Sequence, residues 1–225
     1  MNKRIMLMLL AVTLMAGSAV AGTVGVFGRT WETWDDGSAN VGDITVNNPQ
    51  SVSLSHPTWS QFTEMKTPVS ISVGDILSYD RYITTTTWMS DYRSRPILAS
   101  GLDADVYGEH SNNDRTWMVT TATDWFQITP ATAPTGLHIE FAFDTEMTHT
   151  VTITDIATGL LVNSASGTFT DTGAVAHGIS EVAEWGISMW NSGDTATVEN
   201  FQIVPEPATM ALLGLGGFLL RRRKR

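Results

Sequence analysis

Polar and apolar residues alternate with period two along most of the interior of this 225-residue chain. Asp43-Ile44-Thr45-Val46-Asn47, Ser51-Val52-Ser53-Leu54-Ser55 and Val69-Ser70-Ile71-Ser72-Val73 each read as a strand with one buried face. The same pattern returns in Leu137-His138-Ile139-Glu140-Phe141-Ala142-Phe143 and in Thr150-Val151-Thr152-Ile153-Thr154-Asp155-Ile156. It closes with Trp185-Gly186-Ile187-Ser188-Met189-Trp190 and Ala196-Thr197-Val198-Glu199-Asn200-Phe201-Gln202-Ile203. Threonine is abundant, as in Thr84 to Thr87, and its branched side chain suits strands. Turn-forming residues such as Asp171-Thr172-Gly173 and Asn191-Ser192-Gly193-Asp194 punctuate these runs. Helical periodicity is confined to the two ends. The pattern predicts an all-β chain with one β-sandwich of jelly-roll type over residues 22–203, without internal repeats.

The two ends have a different character. Lys3 and Arg4 precede an apolar run from Ile5 to Ala16, and Ala19-Val20-Ala21 follows. A basic start, an apolar stretch of about twelve residues and a small-x-small site predict a signal helix over residues 1–21, cut after Ala21 by signal peptidase. At the other end, Val204-Pro205-Glu206-Pro207 leads into an uncharged run from Ala208 to Leu220. Arg221, Arg222, Arg223, Lys224 and Arg225 close the chain. The apolar run would span about 20 Å as a helix, short of a hydrocarbon core of about 30 Å. Local thinning and snorkelling arginines let it sit there as a short transmembrane helix. The terminal cations then stay on the cytoplasmic side. The two prolines keep the Glu206 stretch extended, as a protease needs its substrate.

Pro205-Glu206-Pro207, a glycine-containing apolar segment and a terminal arginine cluster, in that order, resemble the PEP-CTERM protein-sorting tail over residues 204–225. The resemblance implies an exported protein held briefly in the inner membrane of a Gram-negative bacterium. Exosortase, a membrane cysteine protease, then processes it, and many such proteins reach the cell surface or an exopolysaccharide matrix. The last strand, Val198-Glu199-Asn200-Phe201-Gln202-Ile203, resembles the closing strand of concanavalin A-like and carbohydrate-binding jelly rolls.

Charge sharpens this division. The formal net charge is -10, but Lys3, Arg4 and the five C-terminal cations belong to the end segments. Residues 22–204 hold six cations against 22 acids, a net charge of -16. So acidic a domain excludes nucleic acid as a partner, because phosphates demand Lys and Arg. The absence of cysteine excludes disulfides, thiolate-bound metals and thiol catalysis.

The chemistry of the interior is sparse. His56, His110, His138, His149 and His177 form no His-Glu-x-x-His pattern, and neither a Gly-x-Ser-x-Gly elbow nor a phosphate loop occurs. His138, flanked by Leu137 and Ile139, belongs on a solvent face. Glu140 and Asp144 share a strand parity, and Glu181 and Glu184 form a second acidic pair. Paired carboxylates are what glycoside hydrolysis needs, although acids this numerous also pair by chance. Asp103, Asp105 and Asp114 sit in an oxygen-rich segment that partly follows Ca²⁺-loop spacing, with Tyr107 breaking it. A structural Ca²⁺ and a solvated Asx-rich loop both account for it, and no other cofactor is expected. Eight tryptophans lie in the interior, where they serve either core packing or sugar stacking. Trp31 and Trp34, flanked by acids, are the candidate sugar platform. The expectation is a non-enzymatic surface or matrix protein, structural or adhesive. A carbohydrate-binding module with polysaccharide as partner is the alternative, and a glycoside hydrolase the third reading.

Overall fold

Most residues that alternate in sequence are residues that pair in space. The computed structural model describes residues 21–35, 43–55, 62–84, 89–102, 104–105, 107–112, 115–121, 124–128, 136–171, 175–190 and 195–205. The expected signal helix and transmembrane helix lie outside the described residues. Among the described residues no helix is long and apolar enough to cross a membrane.

The strands are β1 (Ala21–Val26), β2 (Arg29–Asp35), β3 (Asp43–Asn48), β4 (Ser51–Ser55), β5 (Phe62–Pro68) and β6 (Ile76–Thr84). Next come β7 (Met89–Leu98), β8 (Ala104–Asp105), β9 (Tyr107–Asn112), β10 (Arg115–Thr121), β11 (Asp124–Ile128) and β12 (Gly136–Ala142). The last are β13 (His149–Asp155), β14 (Leu161–Gly167), β15 (Phe169–Asp171), β16 (Ala176–His177), β17 (Val182–Trp190) and β18 (Thr195–Val204). A 3₁₀ turn, Ile179–Glu181, precedes β17. The first large sheet has eight strands in the order β1-β2-β5-β17-β7-β9-β10-β11. The second has seven, β14-β13-β12-β6-β18-β4-β3, and β16-β15-β8 form a small third sheet. The pairs within all three are antiparallel.

One face of each large sheet is apolar, and the two faces close on a shared core. Val52, Leu54, Ile139, Phe141, Val151 and Val198 of the seven-stranded sheet are fully buried, as are Trp31, Met65, Trp185 and Ile187 of the eight-stranded one. Aromatic rings run through this core in sequence. Phe201 lies against Trp31 (ring centroids 5.1 Å apart), Phe27 (5.9 Å) and Tyr79 (6.2 Å). Tyr79 continues to Phe141, which meets Trp185 at 4.9 Å, and Phe143 joins Trp185 to Phe169. Such ring pairs add about 0.5–1.5 kcal/mol each beyond the area they bury. Trp185 and Trp31 also satisfy their indole N–H groups, donating to Ser94 Oγ (2.8 Å) and to the Val26 carbonyl (3.2 Å).

Two local devices hold this packing. β1 and β2 are joined by Phe27-Gly28, with φ of 57° and 66°, the two left-handed residues of a tight hairpin turn. Phe27 tolerates that backbone because its ring is buried against Trp31 and Phe201. In β18 the alternation breaks. Ala196 and Val198 face the core, yet so does Phe201, so the phase shifts by one residue. A bulge between Glu199 and Gln202 makes that shift, with Asn200 at φ 56°. Asn200 Nδ2 donates to Asp80 Oδ2 (2.8 Å), and its backbone N–H donates to the Gln50 carbonyl (3.1 Å). The uninterrupted alternation expected for Ala196 to Ile203 is therefore corrected.

A second correction concerns Val69 to Val73, which form no strand. Val69 and Ile71 still pack on the core, so the alternation reports a buried face correctly. The segment is the crossing from β5 in one sheet to β6 in the other. Val69 N–H still donates to the Ala183 carbonyl, one step past the β5–β17 ladder, and Ser72 N–H bonds locally to Asp75 Oδ2.

His149 is an unusual core residue. It is fully buried on the inner face of β13, its ring stacked on Phe169 at 4.4 Å, and neither ring nitrogen has a hydrogen-bond partner. Burial holds its pKa down to about 4, slightly opposed by Asp144. In the unfolded chain it titrates near 6.5, so below that pH the unfolded state binds the extra proton. Its contribution is fully present above pH 6.5 and is lost as pH falls towards 4, by about 3 kcal/mol over the window. Urea midpoints measured from pH 7 to pH 4.5 should fall steeply for the native chain and less for His149→Leu.

Candidate functional site

The outer faces of the two sheets differ. On the seven-stranded sheet, small hydroxyl and amide side chains bond one another: Ser53 with Thr197, Asn47 with Ser53, Thr150 with Ser166, Thr152 with Ser164. Acids join them, with Glu199 accepting from Ser51 Oγ at 3.0 Å. His138 lies there half-buried, as expected, with Nδ1 2.7 Å from Asp80 Oδ1.

The eight-stranded sheet carries Lys and Arg paired with Glu on its outer face, and some of this charge is buried. The neighbours β2, β5, β17 and β7 set the rungs. Glu32, Lys66, Gly186 and Arg95 fall on one rung, and Trp34, Glu64, Ser188 and Arg93 on another two residues along. Lys66 Nζ lies 2.9 Å from Glu184 Oε2 and 3.7 Å from Glu32 Oε2. The Glu184 hydrogen bond, with the charges of Glu184 and Glu32, holds the Lys66 ammonium above the usual lysine range. Arg95 Nη2 donates to Glu64 Oε1 at 2.8 Å, with side-chain exposures of 9% and 13%. Exposure then rises outward, to 22% for Glu184, 34% for Lys66 and 62% for Glu32. This array, called the trough below, grades from a buried ion pair to a charged, exposed edge.

Its floor is set by β17. Gly186 carries no side chain where a Cβ would meet Glu64 Oε1 at 3.0 Å and Ile97 Cδ1 at 3.1 Å. Two residues on, Ser188 Oγ is buried without a hydrogen-bond partner. A charge pair taken out of water on the non-core face of a sheet is costly, and its desolvation offsets much of its Coulomb attraction. It adds little to stability over an apolar pair, which favours a role beyond packing. Donors and acceptors alternate across three strands here, an arrangement suited to hydrogen-bonding a polyhydroxylated ligand.

The residues singled out from sequence are scattered. Trp31 is fully buried in the core, and a ring with no exposed face stacks no sugar, so that expectation is corrected. Trp34 shares the rung of Glu64, but its side chain lies outside the described residues. Asp103, Asp114 and the side chain of Asp105 lie outside them too, as do Ala19 and the tail residues beyond Pro205. Among the described residues no cluster of three or more His, Asp or Glu could hold a metal ion. Glu140 sits on β12, whereas Asp144 lies past its end, accepting from Thr150 in the turn. Glu181 and Glu184 separate as well. Glu184 serves Lys66, while Glu181 accepts from the Gly178 N–H and from His177. His177 bridges Asp171 and Glu181 at 3.0 Å on either ring nitrogen, and Asp171 first, then Glu181, raise its pKa.

Glu64, Lys66, Arg93, Arg95 and Ser188 escape the sequence reading. One signal pointed to them: the 22–204 segment has six cations, and three of them are Lys66, Arg93 and Arg95.

Burial grades the two ion pairs. Arg95→Met breaks the buried pair and should cost about 3–5 kcal/mol in urea unfolding. Lys66→Met, on the wetter rim, should cost under about 1 kcal/mol.

Residues 204–225 match the family model described as the PEP-CTERM protein-sorting motif. The motif marks an exported protein, held transiently at the membrane before exosortase processes it. A comparison with curated proteins returns no match. Among solved structures, a legume lectin-like domain from Entamoeba histolytica superposes with TM-score 0.52 at 10% identity, over 78% of this chain and 89% of that one. A sialidase superposes with TM-score 0.55 at 8% identity, over 85% of this chain but 19% of the sialidase. The chain therefore spans about a fifth of that enzyme's length. A CBM2 module from the evolved Dit of Lactobacillus casei BL23 phage J-1 follows at TM-score 0.49, 11% identity, 73% of this chain and 79% of that one. At such identities the likeness shows the fold alone, a lectin-like sandwich of jelly-roll type.

Proposed function

We propose that this chain is a surface or extracellular-matrix protein whose sandwich is a non-catalytic carbohydrate-binding module. The trough on the eight-stranded sheet is its ligand face. The observation that carries this reading is the buried Glu64–Arg95 pair on a face that the core does not need. Lys66 and Glu184 extend the same array of donors and acceptors towards solvent.

One further feature supports it. The acidic pair considered for hydrolysis does not form a facing couple on one strand, since Asp144 lies in the turn and is engaged by Thr150. Hydrolysis needs two carboxylates flanking one bond.

Export and sorting supply the setting. Signal peptidase acts after Ala21 and exosortase near Pro205, Glu206 and Pro207, with the inner membrane as a transient stop. Mass spectrometry of the protein recovered outside the cell should show a start at Gly22 and loss of Arg221 to Arg225. An intact arginine cluster in the recovered protein would sink the sorting reading.

The ligand face has its own test. Titration of the exported protein with soluble polysaccharides should perturb Trp emission saturably, and Lys66→Ala should weaken that binding at least tenfold while leaving the fold intact. A native chain that binds none of a broad polysaccharide set would refute the module.

A further inference from the structure

We infer that the trough selects a neutral, hydroxyl-rich glycan chain and disfavours acidic polysaccharides. This rests on the reading of the trough as the ligand face and adds the chemical class of the ligand.

The argument begins with how the cations are held. Lys66 sits between Glu184 and Glu32, and Arg95 is bound by Glu64. A uronate or sulfate can take another N–H of either cation, but it then shares that cation with a carboxylate already bonded there. It also leaves that carboxylate beside a new negative charge. Over residues 22–204 the 22 acids against six cations add a long-range field that repels a polyanion. Half of the segment's six cations meet in this site, but Lys66 and Arg95 are each already bonded to a carboxylate.

A hydroxyl group faces no such conflict. It both donates and accepts, so a vicinal diol can accept from an ammonium or guanidinium with one oxygen. Its neighbour can then donate to the adjoining carboxylate. The partly exposed Lys66–Glu184 pair offers that donor and acceptor at hydrogen-bond spacing, beside the buried Arg95–Glu64 pair two residues along β5. Hydrogen bonds to charged partners are the stronger kind, so a neutral ligand can gain from both charges while breaking neither pair outright. Gly186 and the unpartnered Ser188 hydroxyl lie beneath, one without bulk and the other with a hydrogen-bonding group unspent.

The discriminating variant is Glu184→Gln, at a partly exposed position where the change is isosteric. The exported protein and this variant are titrated with a neutral glucan, a neutral galactan and polygalacturonate, at low and at high NaCl. Circular dichroism confirms that both are folded. The inference expects saturable binding of a neutral polymer that changes less than twofold with salt, and at least tenfold weaker binding by Glu184→Gln. Preferential binding of polygalacturonate that salt weakens steeply, and that Glu184→Gln tightens, would overturn the neutral-ligand inference and leave the module standing. Neutral binding indifferent to both Glu184→Gln and Lys66→Met would also overturn it, by moving the site off the trough. Binding of no polymer at all would instead overturn the underlying reading.

Discussion

The sandwich depends on a change of phase in one strand. β18 lies between β6 and β4 in the seven-stranded sheet, so its inner residues line the middle of the core. A regular strand that buried Ala196 and Val198 would bury Asn200 next and turn Phe201 to solvent. The bulge reverses this. Asn200 takes the left-handed backbone that asparagine tolerates better than most residues. Asp80 and the Gln50 carbonyl hold it there. Phe201 thereby reaches Trp31, Phe27 and Tyr79, and the aromatic column becomes continuous from one end of the core to the other. The column ties the two sheets together, and through Trp185 it fixes β17. The same strand that turns Trp185 and Ile187 inward carries Glu184, Gly186 and Ser188 on its other face. Core packing and trough geometry are thus two faces of one strand.

This division also explains why the two outer faces differ. On the seven-stranded sheet, short hydroxyl side chains bond directly opposite partners, and the acids Asp80 and Glu199 are bonded to His138 and Ser51. On the eight-stranded sheet, long charged side chains converge from β2, β5, β7 and β17 over a glycine. Their ion pairs are strong only where water is thin, as at Glu64 and Arg95, and there the desolvation cost is largest. Packing alone gives no reason to retain such a pair.

How legible this was in the sequence depended on locality. Ser51 to Ser55 and Leu137 to Phe143 were readable because each strand carries its own alternation. The sorting tail was readable because its three parts follow one another directly. Val69 to Val73 misled because alternation reports a buried face and says nothing about hydrogen-bonded neighbours. β7 was invisible for the opposite reason. It holds Arg93, Arg95 and Pro96, and a proline argues against a central strand. The structure accommodates Pro96 because the described pairing with β9 stops at Ser94 opposite Tyr107. The trough needed still more. Its residues come from four strands adjacent only through the order β2-β5-β17-β7, which no local pattern encodes.

The outermost rungs of the sandwich adjoin both proposed cut sites, and this constrains where the chain can be processed. β1 begins at Ala21, and Gly22 already pairs with Thr33. β18 runs to Val204, which pairs with Ile76, and Pro205 follows at once. Cleavage after Ala21 removes only the outermost rung, Ala21 opposite Trp34, and cleavage beyond Pro205 spares the last rung of β18. A cut only a few residues inside either point would remove ladder bonds. At the C-terminal side the removed rungs would belong to an interior strand whose Phe201 anchors the aromatic column. At the N-terminal side they would belong to β1, an edge strand. The fold therefore tolerates imprecision better at its start than at its end. A proline-flanked glutamate just beyond the last rung is where an extended, unpaired substrate can begin without unravelling the core.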